Sequence, residues 1–201
     1  MANELLTSAA AERNKDPILT VLESVLPPTG TVLEIASGTG QHVCFFAAEL
    51  PGIRWQPTEP DAPHREAIEN RIREAGLGNV APPLALDVHE PRWPVAQSYD
   101  AILCINMVHI SPWSATNALC LGASRHLLTG GKLILYGPYL EDGGAVQSNL
   151  DFDATLKRRN QQWGLRELDE VTRTAGLHGL QRQQVVRMPA NNLTVVFSKT
   201  L

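Results

Sequence analysis

The sequence predicts an α/β protein built on a mostly parallel sheet, and three observations carry that expectation. Short apolar, β-rich runs alternate with stretches of helical periodicity through the first two thirds of the chain. A tight Ser37-Gly38-Thr39-Gly40 turn joins the first such run to the helical stretch after it. Residues 99–105 contain almost nothing polar, as expected of a strand at a sheet centre covered on both faces.

The elements follow in order. Asp16 and Pro17 read as the N-cap and first position of an opening helix, with Ile18, Leu19, Val21, Leu22, Val25 and Leu26 at helical spacing. Pro27-Pro28-Thr29-Gly30 stops it. Residues 31–36 read as a buried strand, and Val43, Phe46, Ala47 and Leu50 mark the next helix. Residues 53–58 are a strand, 62–75 a polar helix ended by Gly76, and 83–88 a third strand. Residues 99–105 give the fourth strand, 113–128 a helix closed by Gly130-Gly131, and 132–136 the fifth strand. Such alternation implies right-handed crossovers. Residues 137–162 are long and polar, an insertion over the sheet edge. Leu165, Leu168, Val171 and Ala175 form one helix face before Gly176. Residues 179–188 and 193–198, joined by Pro189-Ala190-Asn191-Asn192, make a closing antiparallel hairpin. The expected organisation is one domain, 1–201, with an N-terminal lid segment (1–16) and an insertion after the fifth strand (138–163).

Composition removes several function classes. The 201 residues carry 17 basic and 21 acidic side chains, a formal net charge of −4, which argues against a generic nucleic-acid binder. No apolar run approaches the ~18 residues of a membrane-spanning helix, so no membrane partner is expected. The first eleven residues lack the basic start and apolar stretch of a signal peptide. Cys44, Cys104 and Cys120 form no C-x-x-C pair, which fits reduced thiols in a cytoplasmic protein.

The strongest chemical signal is Glu34-Ile35-Ala36-Ser37-Gly38-Thr39-Gly40 between a strand and a helix. Glycines let the backbone turn sharply and approach a ligand, and ligands of open parallel sheets sit beyond the carboxyl ends of the strands. Two ligand classes compete, beside the plain alternative of a strand–helix turn. A dinucleotide fingerprint needs Gly or Ala three residues after Gly40, where this chain has Val43, and no Lys-Ser/Thr pair completes a P-loop. S-adenosylmethionine has no phosphate, and its sulfonium favours an acidic neighbourhood such as Glu34 provides. Glu59, 19 residues after Gly40, ends the second strand, where a carboxylate accepts both ribose hydroxyls. Asp61 is the substitute if the strand end is misplaced, and a helix N-terminal acid is the bland reading. In Leu86-Asp87-Val88, Asp87 is placed to accept from an adenine amino group and Val88 to offer its N–H to the ring. Asp100 reads as a structural turn residue. In Asn106-Met107-Val108-His109-Ile110, the Asn106 backbone and Met107 face a methionine moiety, and His109 is either a general base or a packing residue. Six histidines and three cysteines show no metal-ligand spacing, so no metal is expected.

Polar residues for an acceptor lie outside these loops. Arg13, Asn14 and Lys15 precede the first helix. Tyr136 and Tyr139 follow the fifth strand. Asn149, Arg159, Trp163 and Arg166 come from the insertion, and Asn191 and Asn192 from the hairpin loop. Arg13, Arg159 and Arg166 together suit a carboxylate or phosphate, although arginines on polar segments are as readily just solvated. No Asn/Asp-Pro-Pro-Tyr/Phe signature of amino methylation is present.

Together these motifs resemble a class I S-adenosylmethionine-dependent methyltransferase over essentially the whole chain. Ala11-Glu12-Arg13-Asn14-Lys15-Asp16-Pro17, Gly40-Gln41-His42, Pro57-Thr58-Glu59-Pro60-Asp61, Tyr136-Gly137-Pro138-Tyr139 and Met188-Pro189-Ala190-Asn191-Asn192-Leu193 narrow it further. So do Ser148-Asn149, Phe152-Asp153 and Trp163-Gly164-Leu165-Arg166. The set resembles the methyltransferase-like protein 26 family, also called domain of unknown function 938. The resemblance implies a Rossmann-like seven-stranded sheet, order 3-2-1-4-5-7-6, with the last strand antiparallel and helices on both faces. It implies S-adenosylmethionine as cofactor and S-adenosylhomocysteine as product, while the family's substrate is not settled. The low positive charge and the three arginines, not the resemblance, point to a small, anionic acceptor. Arg13, Glu34, Ala36, Ser37, Gly38, Gly40, Glu59, Asp87, Val88 and Asn106 would hold the cofactor. Asn14, Tyr136, Asn149, Arg159, Trp163, Arg166 and Asn191 would hold the acceptor, with His109 and Tyr139 catalytic. Glu59 stands where the family more often has Asp, and Ala36 where many methyltransferases have Gly. The alternatives are a non-catalytic scaffold that binds the same cofactor and an NAD-dependent oxidoreductase, the latter disfavoured by Val43 and the closing hairpin.

Overall fold

The computed structural model of the protein describes residues 7–95 and 98–200. Residues 1–6 of the expected lid lie outside the described residues. The opening helix, α1 (Ala9–Val25), starts well before Pro17. Ser8 caps it, its side chain accepting from the Ala11 N–H, and the Ala9-Ala10-Ala11-Glu12 run supplies strong helix formers. Pro17 therefore sits inside α1. Its φ suits a helix, although it has no N–H to give the Arg13 carbonyl. Arg13 and Asn14 are helical residues as a result.

Strand β1 (Gly30–Ile35) leads through the glycine turn into α2 (Gln41–Glu49), then β2 (Ile53–Pro57) and α3 (Ala62–Ala75). The expected third strand is reduced to isolated parallel bridges, Trp55 with Val80 and Thr58 with Leu84. Pro82 and Pro83 supply no ladder N–H there, so the segment cannot pair continuously. Next come β3 (Tyr99–Ile105), α4 (Trp113–His126) and β4 (Leu127–Gly137). The insertion folds into β5 (Tyr139–Leu140), α5 (Gln147–Arg159) and β6 (Arg166–Glu167), with β5 and β6 paired in parallel. Helix α6 (Leu168–Leu177) and the hairpin β7 (Leu180–Met188) and β8 (Asn192–Lys199) finish the chain.

The main sheet has the order β2-β1-β3-β4-β8-β7, with β8 antiparallel to both neighbours. This is the predicted order with its outermost strand dissolved into bridges. Strand residues alternate between two cores, as the pleat requires. Leu33, Ile35, Ile102, Cys104, Leu133 and Leu135 pack on the α4/α6 side. Val32, Ala101, Leu103, Ile134 and Tyr136 pack on the α1/α2 side. The same alternation turns Glu34 toward α1 and α2. Asp100 ties strand starts together, its carboxylate accepting from the Thr31 N–H at 2.8 Å and the Thr31 hydroxyl at 3.1 Å. Gly122 of α4 leaves room for the Trp93 ring, which a Cβ would meet at 2.0 Å. Among the described residues, no helix is long and apolar enough to cross a membrane.

Candidate functional site

Three residues after β1 take left-handed backbone angles: Ala36 at φ 55, Gly38 at 56 and Gly40 at 80. At Gly38 a Cβ would meet nothing within 4 Å, so the turn is open there. Thr58 stitches the turn to the end of β2. Its hydroxyl and N–H both donate to the Glu34 carbonyl, at 2.8 and 2.9 Å, while the Ser37 N–H donates to the Thr58 carbonyl at 2.8 Å.

Glu59 stands at the end of β2, almost buried. Its Oε2 accepts from the Gly38 N–H at 2.9 Å and its Oε1 from the Asp61 N–H at 3.2 Å. Asp61, the substitute ribose acid, is engaged elsewhere: it caps α3, accepting from the His64 N–H at 2.9 Å. Glu34 is 2% exposed, and its Oε2 has no partner among the described residues. Burial pushes its carboxyl up to about 7, against a hydrogen bond from Ser37 and with some repulsion from Glu59. Among the described residues, neither carboxylate is paired with Lys or Arg; only His64 approaches Glu59, at 3.8 Å.

Helix α1 closes this face of the sheet. The Asn14 Oδ1 meets His42 Nε2 at 2.7 Å, and burial pushes the Tyr136 phenol up, against a lowering influence of the Asn14 side chain. Burial pushes His42 down to about 4, so the ring is neutral and donates from Nε2 to the amide oxygen. Gln41 donates to Glu12 at 2.9 Å. The first half of α1 is thereby fastened to the first turn of α2. Arg13 is exposed.

Beyond β3, Asn106 adopts φ 64, and its N–H donates to the Tyr136 carbonyl at 2.8 Å. It opens a short 3-10 turn, Met107–His109, that rotates His109 into the core and leaves Ile110 outside. His109 is 1% exposed and lies edge-on to Tyr139, ring centres 4.9 Å apart. Burial pushes the imidazole down to about 3 and the Tyr139 phenol well above its ordinary value. The expected catalytic pair is thus a pair of neutral core groups, because the turn aims His109 inward rather than at the strand ends.

Arg166 is also placed differently from the expectation. Its Nε donates to the Val108 carbonyl at 3.0 Å, and its Nη2 to those of Ser111 at 2.6 Å and Gln162 at 2.9 Å. The guanidinium lies 5.8 Å from the Trp113 ring centre. It braces the insertion against the β3–α4 loop and is not free to form a three-arginine anion site with Arg13 and Arg159. Arg159, the last residue of α5, is exposed, and Trp163 is half-buried. Asn149 is buried and donates to the Asn191 carbonyl at 3.0 Å, docking α5 on the hairpin loop.

Asp87 is exposed, two residues before His89. The His89 N–H at 2.9 Å, aided by its ring Nδ1 at 2.9 Å, holds the Asp87 carboxyl below its ordinary value. Val88 is buried, and its carbonyl accepts from Trp93 Nε1 at 3.3 Å. Three site residues carry no sequence signal: Thr58, His42 and His89. Thr58 and His42 stood within quoted motifs but as unremarked positions, and each of the three acts through a partner on another segment: Glu34, Asn14 and Ser114.

Residues 6–199 match a family described as "Protein of unknown function (DUF938)". Solved structures share the fold at low identity. An O-methyltransferase family protein from Burkholderia thailandensis is 17% identical with a TM-score of 0.80, over 95% of this chain and 57% of that one. The S-adenosylmethionine-dependent methyltransferase SibL is 16% identical with a TM-score of 0.80, over 96% and 56%. PigF, solved with S-adenosylhomocysteine (SAH), is 16% identical with a TM-score of 0.80, over 94% and 56%. The chain thus spans a little over half the length of these neighbours, and at such identity the likeness is one of fold. The match over nearly its whole length is with the family, and the chain belongs to DUF938.

Proposed function

We propose that this chain binds S-adenosylmethionine at the β1 turn and transfers its methyl group to a small acceptor that is itself anionic. The observation that carries the reading is the pair Glu34 and Glu59 flanking an open left-handed turn, without a paired Lys or Arg among the described residues. Such a site repels a pyrophosphate and attracts a cation, which also argues against a nicotinamide dinucleotide. The helix agrees, since Val43 is fully buried where a dinucleotide site needs a small residue. The names of the structural neighbours, S-adenosylmethionine-dependent and O-methyl transfer among them, favour the same ligand class. The likeness to methyltransferase-like protein 26 belongs to this proposal.

The ligand would supply an electrophilic methyl group on a positively charged sulfur. Glu59, fixed by two backbone N–H groups, keeps lone pairs for the ribose hydroxyls. Glu34, its carboxyl raised by burial, would be drawn to its ionised form by the sulfonium and so compensate it, and the left-handed turn at Ala36 and Gly38 lets the backbone come close. Asn106 presents backbone at the end of the neighbouring strand. Helix α1, through Asn14, and the α5 insertion form the acceptor side with Tyr136, Arg13, Asn149, Arg159, Trp163 and Asn191. His109 and Tyr139 are neutral core groups, so the chain positions the nucleophile instead of deprotonating it. A carboxylate or acidic hydroxyl, already ionised, is the acceptor chemistry that needs no base.

Calorimetric titration with S-adenosylmethionine and S-adenosylhomocysteine tests the binding. Micromolar affinity is expected, and Glu59→Ala should lose about 1.5–3 kcal/mol of it, the worth of hydrogen bonds to a charged group. Wild-type protein that is folded and binds neither ligand refutes the proposal. Label transfer from methyl-labelled cofactor into a metabolite extract separates an enzyme from a binding scaffold.

A further inference from the structure

Asp87, His89 and Ser114 form a chain of three hydrogen-bonded side chains that starts in the segment after the isolated bridges beside β2. His89 Nδ1 is 2.9 Å from Asp87 Oδ1, and His89 Nε2 is 3.0 Å from the Ser114 hydroxyl. The His89 N–H also donates to Asp87 Oδ1, at 2.9 Å. An ionised Asp87 can only accept, so His89 Nδ1 carries the proton, and in the neutral ring Nε2 accepts from Ser114. Ser114 sits in the first turn of α4, a helix packed on the sheet through Ala115, Leu119 and Cys120. The orientation of an exposed carboxylate is thereby referred to a rigid element.

All donors of this cluster reach Oδ1, and among the described residues Oδ2 takes none. The backbone brings the segment that leads into Asp87 against the end of β2: the Leu84 carbonyl, three residues before Asp87, accepts from the Glu59 N–H at 2.9 Å. Asp87 also closes a turn, its carbonyl accepting from the Glu90 N–H at 3.0 Å.

We propose that His89, steadied by Ser114, is a positioning residue that holds Asp87 with Oδ2 free, so that the site selects a purine bearing an amino group at position 6 over one bearing an oxo group. This rests on the nucleoside-binding reading above. A 6-amino group donates to a fixed carboxylate oxygen, whereas a 6-oxo group sets oxygen against oxygen. A carboxylate free to swing away loses that contrast, because it can desert the 6-oxo ligand and need not meet the 6-amino one. The order Asp–His–Ser is also that of hydrolytic relays, but here the carboxylate is the end that carries the unused acceptor.

The test compares binding of S-adenosylhomocysteine and S-inosylhomocysteine by calorimetry. Wild type should prefer the adenosyl ligand by about 100-fold or more, as sites built around a substrate hydrogen bond do. His89→Ala should cut that preference about tenfold, the scale of one charge-assisted hydrogen bond. Ser114→Ala should cut it less, and His89→Asn, which keeps a donor near the Nδ1 position, should restore part of it. Both residues are surface groups, and thermal melts confirm that each variant is folded. A merely structural role would weaken both ligands equally and leave their ratio alone. An unchanged ratio in His89→Ala therefore overturns the inference while the proposed function stands. Equal wild-type affinity for the two ligands overturns it as well. Failure of wild type to bind either ligand overturns the proposed function and this inference together.

Discussion

Replacing Glu34 by Gln should change the pH dependence of stability in a direction fixed by its burial. The carboxyl stands at about 7 in the folded chain against an ordinary value of 4.5, because water cannot reach it and Oε2 finds no partner. The folded state therefore holds a proton that the unfolded state has released between those two values. Stability from this group is fully present below pH 4.5 and is lost as pH rises through 7. Integrated from pH 5 to pH 8, the loss is about 2–3 kcal/mol. Two buried histidines pull the other way. His42 and His109, at about 4 and about 3, are neutral when folded and take up protons on unfolding, so their contribution grows as pH rises toward 6.5. The wild-type profile alone mixes these slopes, but Glu34→Gln removes only one of them. Urea unfolding of both proteins at pH 5 and pH 8 gives the double difference. The variant should gain about 2–3 kcal/mol on wild type over that range. A flat difference, or one of opposite sign, would show that Glu34 is ionised and compensated in the folded protein.

Two substitutions probe the packing under the site. Gly137→Ala places a Cβ 2.3 Å from His109 Nε2 and should cost about 1–3 kcal/mol, as overpacking does. Combined with His109→Ala that cost should shrink by about 1 kcal/mol or more, and strict additivity in denaturant melts would refute the clash. Arg166→Ala removes the donor shared by the Val108, Ser111 and Gln162 carbonyls and should cost about 1.5–3 kcal/mol. Amide exchange at His109 and Ile110 should quicken with it, and Arg166→Lys should recover less than half. Unchanged stability in Arg166→Ala would return that residue to the acceptor site.

What was legible in the sequence was what period and turn chemistry encode. The apolar run at 99–105, the Gly76 stop and the closing hairpin appear where their residues put them. The helix start at Ala9 was not legible, because Asp16-Pro17 is itself a good start signal and the Ser8 cap lies upstream of it. The third strand failed for a local reason, two prolines without N–H groups. For the site, chain position identified Glu34 and Glu59 as acids at the ends of successive strands. It did not say which way a side chain turns. The inward rotation of His109 depends on a 3-10 turn that no residue in Asn106-Met107-Val108-His109 announces. The engagement of Arg166 depends on carbonyls from two distant loops.

That turn begins at a backbone angle which can be tested by itself. Asn106 holds φ 64 immediately beyond β3, as Ala36 holds φ 55 immediately beyond the paired β1. Left-handed angles cost an ordinary L-residue roughly 1–2 kcal/mol, Asn less and Gly essentially nothing. Two such residues side by side at the carboxyl edge are therefore retained against a cost, as happens where backbone must be presented to a ligand. Asn106→Gly keeps the angle and removes the side chain, while Asn106→Ala removes the side chain and resists the angle. If the backbone is what matters, Asn106→Gly should bind S-adenosylhomocysteine within about threefold of wild type and melt within ~0.5 kcal/mol of it, whereas Asn106→Ala should lose about 1 kcal/mol of stability. Equal loss of affinity in both variants, with stability intact, would assign the work to the Asn106 amide and not to the shape of the chain.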